Sequence, residues 1–134
     1  MKASFVLDSS ALLAWLFGEP GKELVTSCLK KGCLISSVNW CEVVQKAAKK
    51  GISSDRLYEE LNEKQILNVV LTIEHFTESF ARAAAAMFDL TKPYGLSLGD
   101  RACLAFAQER NVSVLTADTD WAKVELPINV QLIR

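Results

Sequence analysis

Five short runs rich in β-forming residues punctuate the sequence, at 4–7, 33–36, 66–73, 112–115 and 129–133. After each of the first four comes a stretch with helical periodicity. This alternation constrains the fold more than any other feature. Strands separated by helices pair in parallel, so the chain is expected to form a mainly parallel five-stranded sheet covered by helices on both faces, a three-layer α/β/α sandwich.

The helices are marked by their stripes and their ends. Residues 11–17 read as a short apolar helix stopped by Gly18. Pro20 suits the first turn of the next helix, whose inward residues are Leu24, Val25, Cys28 and Leu29 and which ends at Lys30, Lys31 and Gly32. Ser37 can cap a helix running to Lys50, with Gly51 behind it. Trp40, Val43, Val44 and Ala47 make its core stripe, and Asn39, Glu42, Lys46 and Lys49 fall on the other side. Ser53 or Ser54 opens a helix to about residue 64, with Leu57, Tyr58 and Leu61 inward. Phe76, Phe80, Ala83, Ala84 and Met87 mark another helix to about residue 90, and Lys92-Pro93-Tyr94-Gly95 is a turn.

That turn leads to Leu96-Ser97-Leu98-Gly99-Asp100-Arg101. Ser97 and Asp100 have the S-x-x-D spacing of a capping box. The helix that follows is apolar on nearly every face, which predicts burial on several sides. A short helix around Trp121 closes the pattern before the last strand.

A chain of 134 residues fits one domain, 1–134, with room for a core, and no apolar run approaches the ~20 residues of a membrane span. The N-terminus enters a strand at once rather than a signal peptide, so a cytoplasmic protein without membrane contact is expected. Cys28, Cys33, Cys41 and Cys103 lack short ligand spacings and read as reduced, mostly buried thiols rather than a zinc site. The single histidine, His75, rules out a histidine pair for acid–base cleavage within one chain and reads as a helix-start or surface residue. The net charge of −1 gives no whole-molecule attraction to nucleic acid.

Acidic residues carry the functional signal. Parallel α/β sheets bind ligands beyond the carboxyl ends of their strands. Asp8 and Asp118 lie just past strand ends, Glu42 lies on the helix after a strand, and Asp100 lies at a helix start. Taken singly, Asp8 and Asp100 read as caps, Glu42 as an i,i+4 partner of Lys46, and Asp120 as the cap of the helix at Trp121. Four acids at one sheet edge would repel one another unless cations sit among them.

Four segments, FVLDSSALLAWL, SSVNWCEVVQKAAKKG, YGLSLGDRACLAFA and VLTADTDWAKV, resemble in order and spacing the PIN-domain nucleases, and most closely the VapC-type toxins of toxin–antitoxin pairs. The resemblance implies an endoribonuclease dependent on Mg²⁺ or Mn²⁺, with sheet order 3-2-1-4-5. It assigns the four acids to Asp8, Glu42, Asp100 and Asp118, with Asp120 auxiliary. It also implies a homodimer, a VapB-like antitoxin partner and larger toxin–antitoxin assemblies. Ser9 or Ser10 and Thr116 fall where that family places small hydroxyls. Asn39 and Arg101 are further substrate-side candidates, and Lys46, Lys49, Lys50, Arg56 and Lys92 are candidate RNA contacts. The residue types suit the chemistry, since hard divalent ions take oxygen ligands. Two alternatives stand beside this reading: a phosphoacceptor receiver, although no acid pair adjoins Asp8 and no Asp ends the third run, and a catalytically inactive partner-binding module on the same fold.

Overall fold

The computed structural model describes residues 3–134. Five strands, β1 (Phe5–Leu7), β2 (Cys33–Ser36), β3 (Leu71–Glu74), β4 (Ser113–Thr116) and β5 (Val130–Leu132), form one sheet in the order β3-β2-β1-β4-β5. Every adjacent pair is parallel. A receiver-type domain would have the order 2-1-3-4-5, so that alternative is excluded by the sheet itself.

Among the described residues, seven α-helices flank the sheet: α1 (Ser9–Phe17), α2 (Lys22–Leu29), α3 (Ser37–Lys49), α4 (Ser54–Glu63), α5 (Glu78–Ala86), α6 (Phe88–Thr91) and α7 (Leu98–Arg110). Two 3₁₀ turns, Lys92–Tyr94 and Thr119–Lys123, complete the chain. Side chains alternate across β1, so Leu7 joins one apolar core and Val6 the other. On the first face, Leu12, Val25, Val43 and Leu57 of α1 to α4 pack on Leu7, Ile35 and Leu115. On the second, Phe80 of α5, with Leu104 and Phe106 of α7 and Trp121, covers Val6 and Val114. Helix α7 is the buried helix that its sequence predicts: every residue from Ala102 to Ala107 is buried.

Several local expectations are corrected. The strand expected at 66–73 begins only at Leu71, with one isolated bridge at Leu67 before it, because Gln65 and Asn68 adopt left-handed backbone and turn the preceding segment into a loop. Pro20 precedes α2 rather than opening it. The N-cap is Gly21 at φ +100, where an added Cβ would lie 2.7 Å from the Ile133 carbonyl oxygen. Helix α3 is capped by Ser36, one residue before Ser37, and Tyr58 is exposed instead of inward. The helix expected up to residue 90 breaks into α5 and α6 at Met87. His75 is exposed in the loop after β3. Cys28, Cys33 and Cys103 are buried free thiols, while Cys41 is exposed. Among the described residues no helix is long and apolar enough to cross a membrane.

Candidate active site

The strand register builds the site. Leu7 of β1 lies level with Ile35 of β2 and Leu115 of β4. The next residue of each chain segment is therefore Asp8, Ser36 or Thr116, three neighbours along the carboxyl edge of the sheet. All three are buried, and together with Asn39 and Thr91 they make up the buried polar residues among those described. Buried polar groups need partners, and here they supply one another.

Asp8 is the N-cap of α1 and accepts from the Ala11 N–H at 2.8 Å. The Thr116 hydroxyl donates to its Oδ2 at 2.5 Å, and the Ser10 hydroxyl stands 2.7 Å and 2.9 Å from its two oxygens. Of the two serines at this position, Ser10 is thus the one that engages the carboxylate. Ser10 in turn accepts from Ala117 N–H at 2.9 Å, and Thr116 accepts from Asp118 N–H at 3.0 Å. These bonds stitch β1 to β4 through side chains. Burial raises the Asp8 carboxyl to about 6, against the pull of its three hydrogen-bond partners, and the nearby Asp100 pushes in the same upward direction.

A second network starts at Ser36. Its hydroxyl donates to Asn39 Oδ1 at 2.6 Å and accepts from Asn39 N–H at 3.1 Å, which caps α3. Asn39 Nδ2 donates to Glu42 Oε1 and to the Gly99 carbonyl, both at 3.0 Å. Asn39 therefore ties α3 to the start of α7 and aims the Glu42 carboxylate between them. The carboxylate fits only because residue 99 has no side chain, since a Cβ there would lie 2.8 Å from Glu42 Oε2. The i,i+4 pair with Lys46 that the sequence suggested is absent among the described residues, because Glu42 turns to Asn39 instead.

Asp100 completes the capping box predicted for it. It accepts from Ser97 N–H at 2.9 Å, and its own N–H donates to Ser97 at 3.1 Å. It is only half-buried, and its carboxyl is raised by burial first, then by Asp118 and Glu42. Capping and membership of the acid cluster thus coexist in one side chain. Below the acids lies Cys103, whose thiol is raised by complete burial and then by Asp8, Asp100 and Glu42. Three of the four acids thus act on Cys103, and the fourth, Asp118, acts on Asp100.

The cap of the turn Thr119–Lys123 is Asp118, which accepts from Asp120 N–H at 2.9 Å. This corrects the assignment of the cap to Asp120: the turn begins at Thr119, so the residue before it holds the cap position. Asp120 instead pairs with Lys123 at 3.0 Å. Arg101 is also placed away from the acids. Its guanidinium donates to the Ala84 carbonyl at 3.0 Å and lies over the Phe88 ring.

Asp8, Glu42, Asp100 and Asp118 have no cationic side chain paired with them among the described residues. No three acidic, histidine or cysteine side chains among those residues close around a single point. The donor set is all hard oxygen and its charge is uncompensated, which suits a divalent cation. Hard divalent ions take oxygen ligands of this kind. Two parts of this constellation, Ser36 and Gly99, escaped the sequence reading. Ser36 looked like the last residue of a strand, and nothing in a Leu-Gly-Asp triplet announces which distant side chain needs the space.

A family model for the PIN domain matches residues 5–126. No curated protein sequence matches the chain. Among solved structures, a toxin–antitoxin complex from Klebsiella pneumoniae aligns with a TM-score of 0.74 at 23% identity, covering 98% of this chain and 98% of that one. DNA-bound VapBC from Salmonella typhimurium aligns at 0.70 and 17% identity, with 98% of each chain covered. The Mycobacterium tuberculosis protein VapC20, described as a sarcin-ricin loop cleaving toxin, aligns at 0.69 and 13% identity over 90% of this chain and 94% of that one. At these identities the likeness to the solved structures is one of fold.

Proposed function

The chain belongs to the PIN-domain family, and on that footing we propose that residues 1–134 form a single nuclease domain, a Mg²⁺- or Mn²⁺-dependent endoribonuclease that acts as the toxin of a toxin–antitoxin pair. The observation that carries this reading is the uncompensated acid cluster at the carboxyl edge of the sheet. Asp8 and Asp100 would hold the ion directly, with Glu42 and Asp118 completing the site through water or a second ion, and Asp120 auxiliary. A bound divalent ion would neutralise phosphate charge and lower the pKa of a water ligand to give a nucleophile.

The chain's own residues prepare for this. Ser10, Thr116 and the Ala11 amide fix both oxygens of Asp8, so that carboxylate needs no reorganisation when a ligand arrives. Asn39 orients Glu42, and Ser36 orients Asn39. Asp118 is held at the head of its turn by the hydrogen bond to Asp120 N–H. No histidine is required, which agrees with a composition that offers one, exposed and distant from these networks in the sequence.

The toxin–antitoxin complexes among the structural neighbours support a cognate antitoxin as partner, and the cleaving toxin among them supports a hydrolytic role. A homodimer, RNA as substrate and a cytoplasmic site of action belong to the same proposal. The test is direct. Purified protein is expected to cut RNA when Mg²⁺ or Mn²⁺ is added and to stop when the ion is chelated. Asp8→Asn and Asp100→Asn, each folded, are expected to lose cleavage. Undiminished cutting in excess chelator would refute the metal-dependent reading.

A further inference from the structure

Along α3 the acid cluster gives way to positive charge. Glu42 and Lys46 stand four residues apart on one stripe of α3 with a rise of ~6 Å between them, and Lys50, four residues further on, is the C-cap of that helix. Glu42 turns toward Asn39 and away from Lys46, and neither lysine has a carboxylate partner among the described residues. Both line a cleft of about 350 Å³ whose walls also include Ser10, Phe17, Glu19 and Arg134. Ser10 is the hydroxyl bonded to Asp8, so the cleft opens beside the buried carboxylate.

Three cations face this cleft against one acid, and that acid, Glu19, lies 3.9 Å from Arg134. The Lys50 ammonium sits 4.1 Å from the centroid of the Phe17 ring, a cation–π contact that holds it at the wall. In a chain of net charge −1 this is local enrichment and not a general property of the surface. A second cavity of similar volume, between β2, β3 and the end of α7, offers no such charge, because its one arginine, Arg110, is paired with Glu74.

We propose that the cleft is a subsite for backbone phosphates of the RNA strand, with Lys46 and Lys50 binding the phosphates that flank the bond placed at the acid cluster. The proposal rests on the endoribonuclease reading and adds where the strand runs. A strand being cut must set one phosphate at the acids and its neighbours nearby, and this is where an anion finds compensating charge without leaving the site. An acidic protein segment fits less well, because its carboxylates would lie next to Asp8 and Glu42 with no cation required between them.

The test uses the whole chain carrying Asp100→Asn, so that RNA is bound and not consumed. A short labelled single-stranded RNA is titrated by fluorescence anisotropy in Mg²⁺ across a range of salt. Lys46→Gln/Lys50→Gln is compared with Lys30→Gln/Lys31→Gln, which removes the same charge at the end of α2. All four positions are exposed and Gln is a good helix former, so both variants are expected to fold. The cleft variant should bind about tenfold more weakly at low salt, with a salt slope flatter by about 0.7 for each lost phosphate contact, and the control should match its parent. In the cutting background KM should rise while kcat holds. Affinity and slope equal to the control overturn the subsite, as does a fall in kcat at constant KM. Unchanged RNA binding with loss of binding to polyglutamate would assign the cleft to an acidic protein partner instead. If the wild-type chain cuts no RNA in Mg²⁺ or Mn²⁺, the endoribonuclease reading itself falls, and the subsite with it.

Discussion

The residue that shows most plainly how the site was assembled is Gly99. It lies in the first turn of α7 with ordinary helical backbone, so no unusual φ requires a glycine there. What requires it is the Glu42 carboxylate, 2.8 Å from where a Cβ would sit. Gly99→Ala should therefore separate folding from function. The carboxylate is the end of a flexible side chain and can swing away, and alanine is favoured over glycine in a helix by roughly 0.5–1 kcal/mol. The variant is expected to melt at or slightly above the wild-type temperature. Its cleavage should nonetheless fall by an order of magnitude or more, because Glu42 loses the position that Asn39 gives it. Wild-type turnover in Gly99→Ala would mean that the Glu42 position is incidental.

At the level of elements, α3 joins cap, tether and site in one hydrogen-bonded unit. Ser36→Ala removes the N-cap and strands the buried Asn39 side-chain oxygen. The expected cost is about 2 kcal/mol, from a lost cap and an unsatisfied polar atom. Activity measured well below the melting transition should fall as well, since Asn39 no longer fixes Glu42. A variant that is less stable yet fully active when folded would make Ser36 a cap and nothing more. The same helix shows what the sequence could and could not disclose. Its apolar stripe, its length and the strand before it were legible, because burial imposes a period that any one stretch displays. The burial of Asn39 was not, since it depends on a contact with Gly99, sixty residues away. Elsewhere β2 was read to the residue, whereas 66–70 looked like strand because it is apolar; two left-handed residues decided otherwise. The capping box of α7 was legible because it is local. The choice between Asp118 and Asp120 turned on where a single turn begins, which is the least certain thing a sequence specifies.

For the molecule as a whole, the buried row at the sheet edge sets how stability depends on pH. The Asp8 carboxyl titrates at about 6 when folded and near 3.8 when not. Between those values the folded chain keeps a proton that the unfolded chain has released, so metal-free stability falls as pH rises through that window. The loss attributable to Asp8 is on the order of 3 kcal/mol by neutral pH. In chelator, Asp8→Asn is expected to melt higher than wild type at pH 7, and the advantage should shrink toward pH 4. A variant that melts lower at pH 7, or by a margin independent of pH, would contradict this account. A bound cation would reverse the local balance by favouring the charged carboxylate. The networks also give the protein an internal indicator. The backbone amides of Ala11, Asn39, Ala117 and Asp118 all donate to side-chain oxygens of the site instead of to carbonyls. In an isotope-labelled chain these four resonances are a gauge wired to the acids, able to read proton loss, ion arrival and strand docking from the backbone without a dye, a substrate or a mutation.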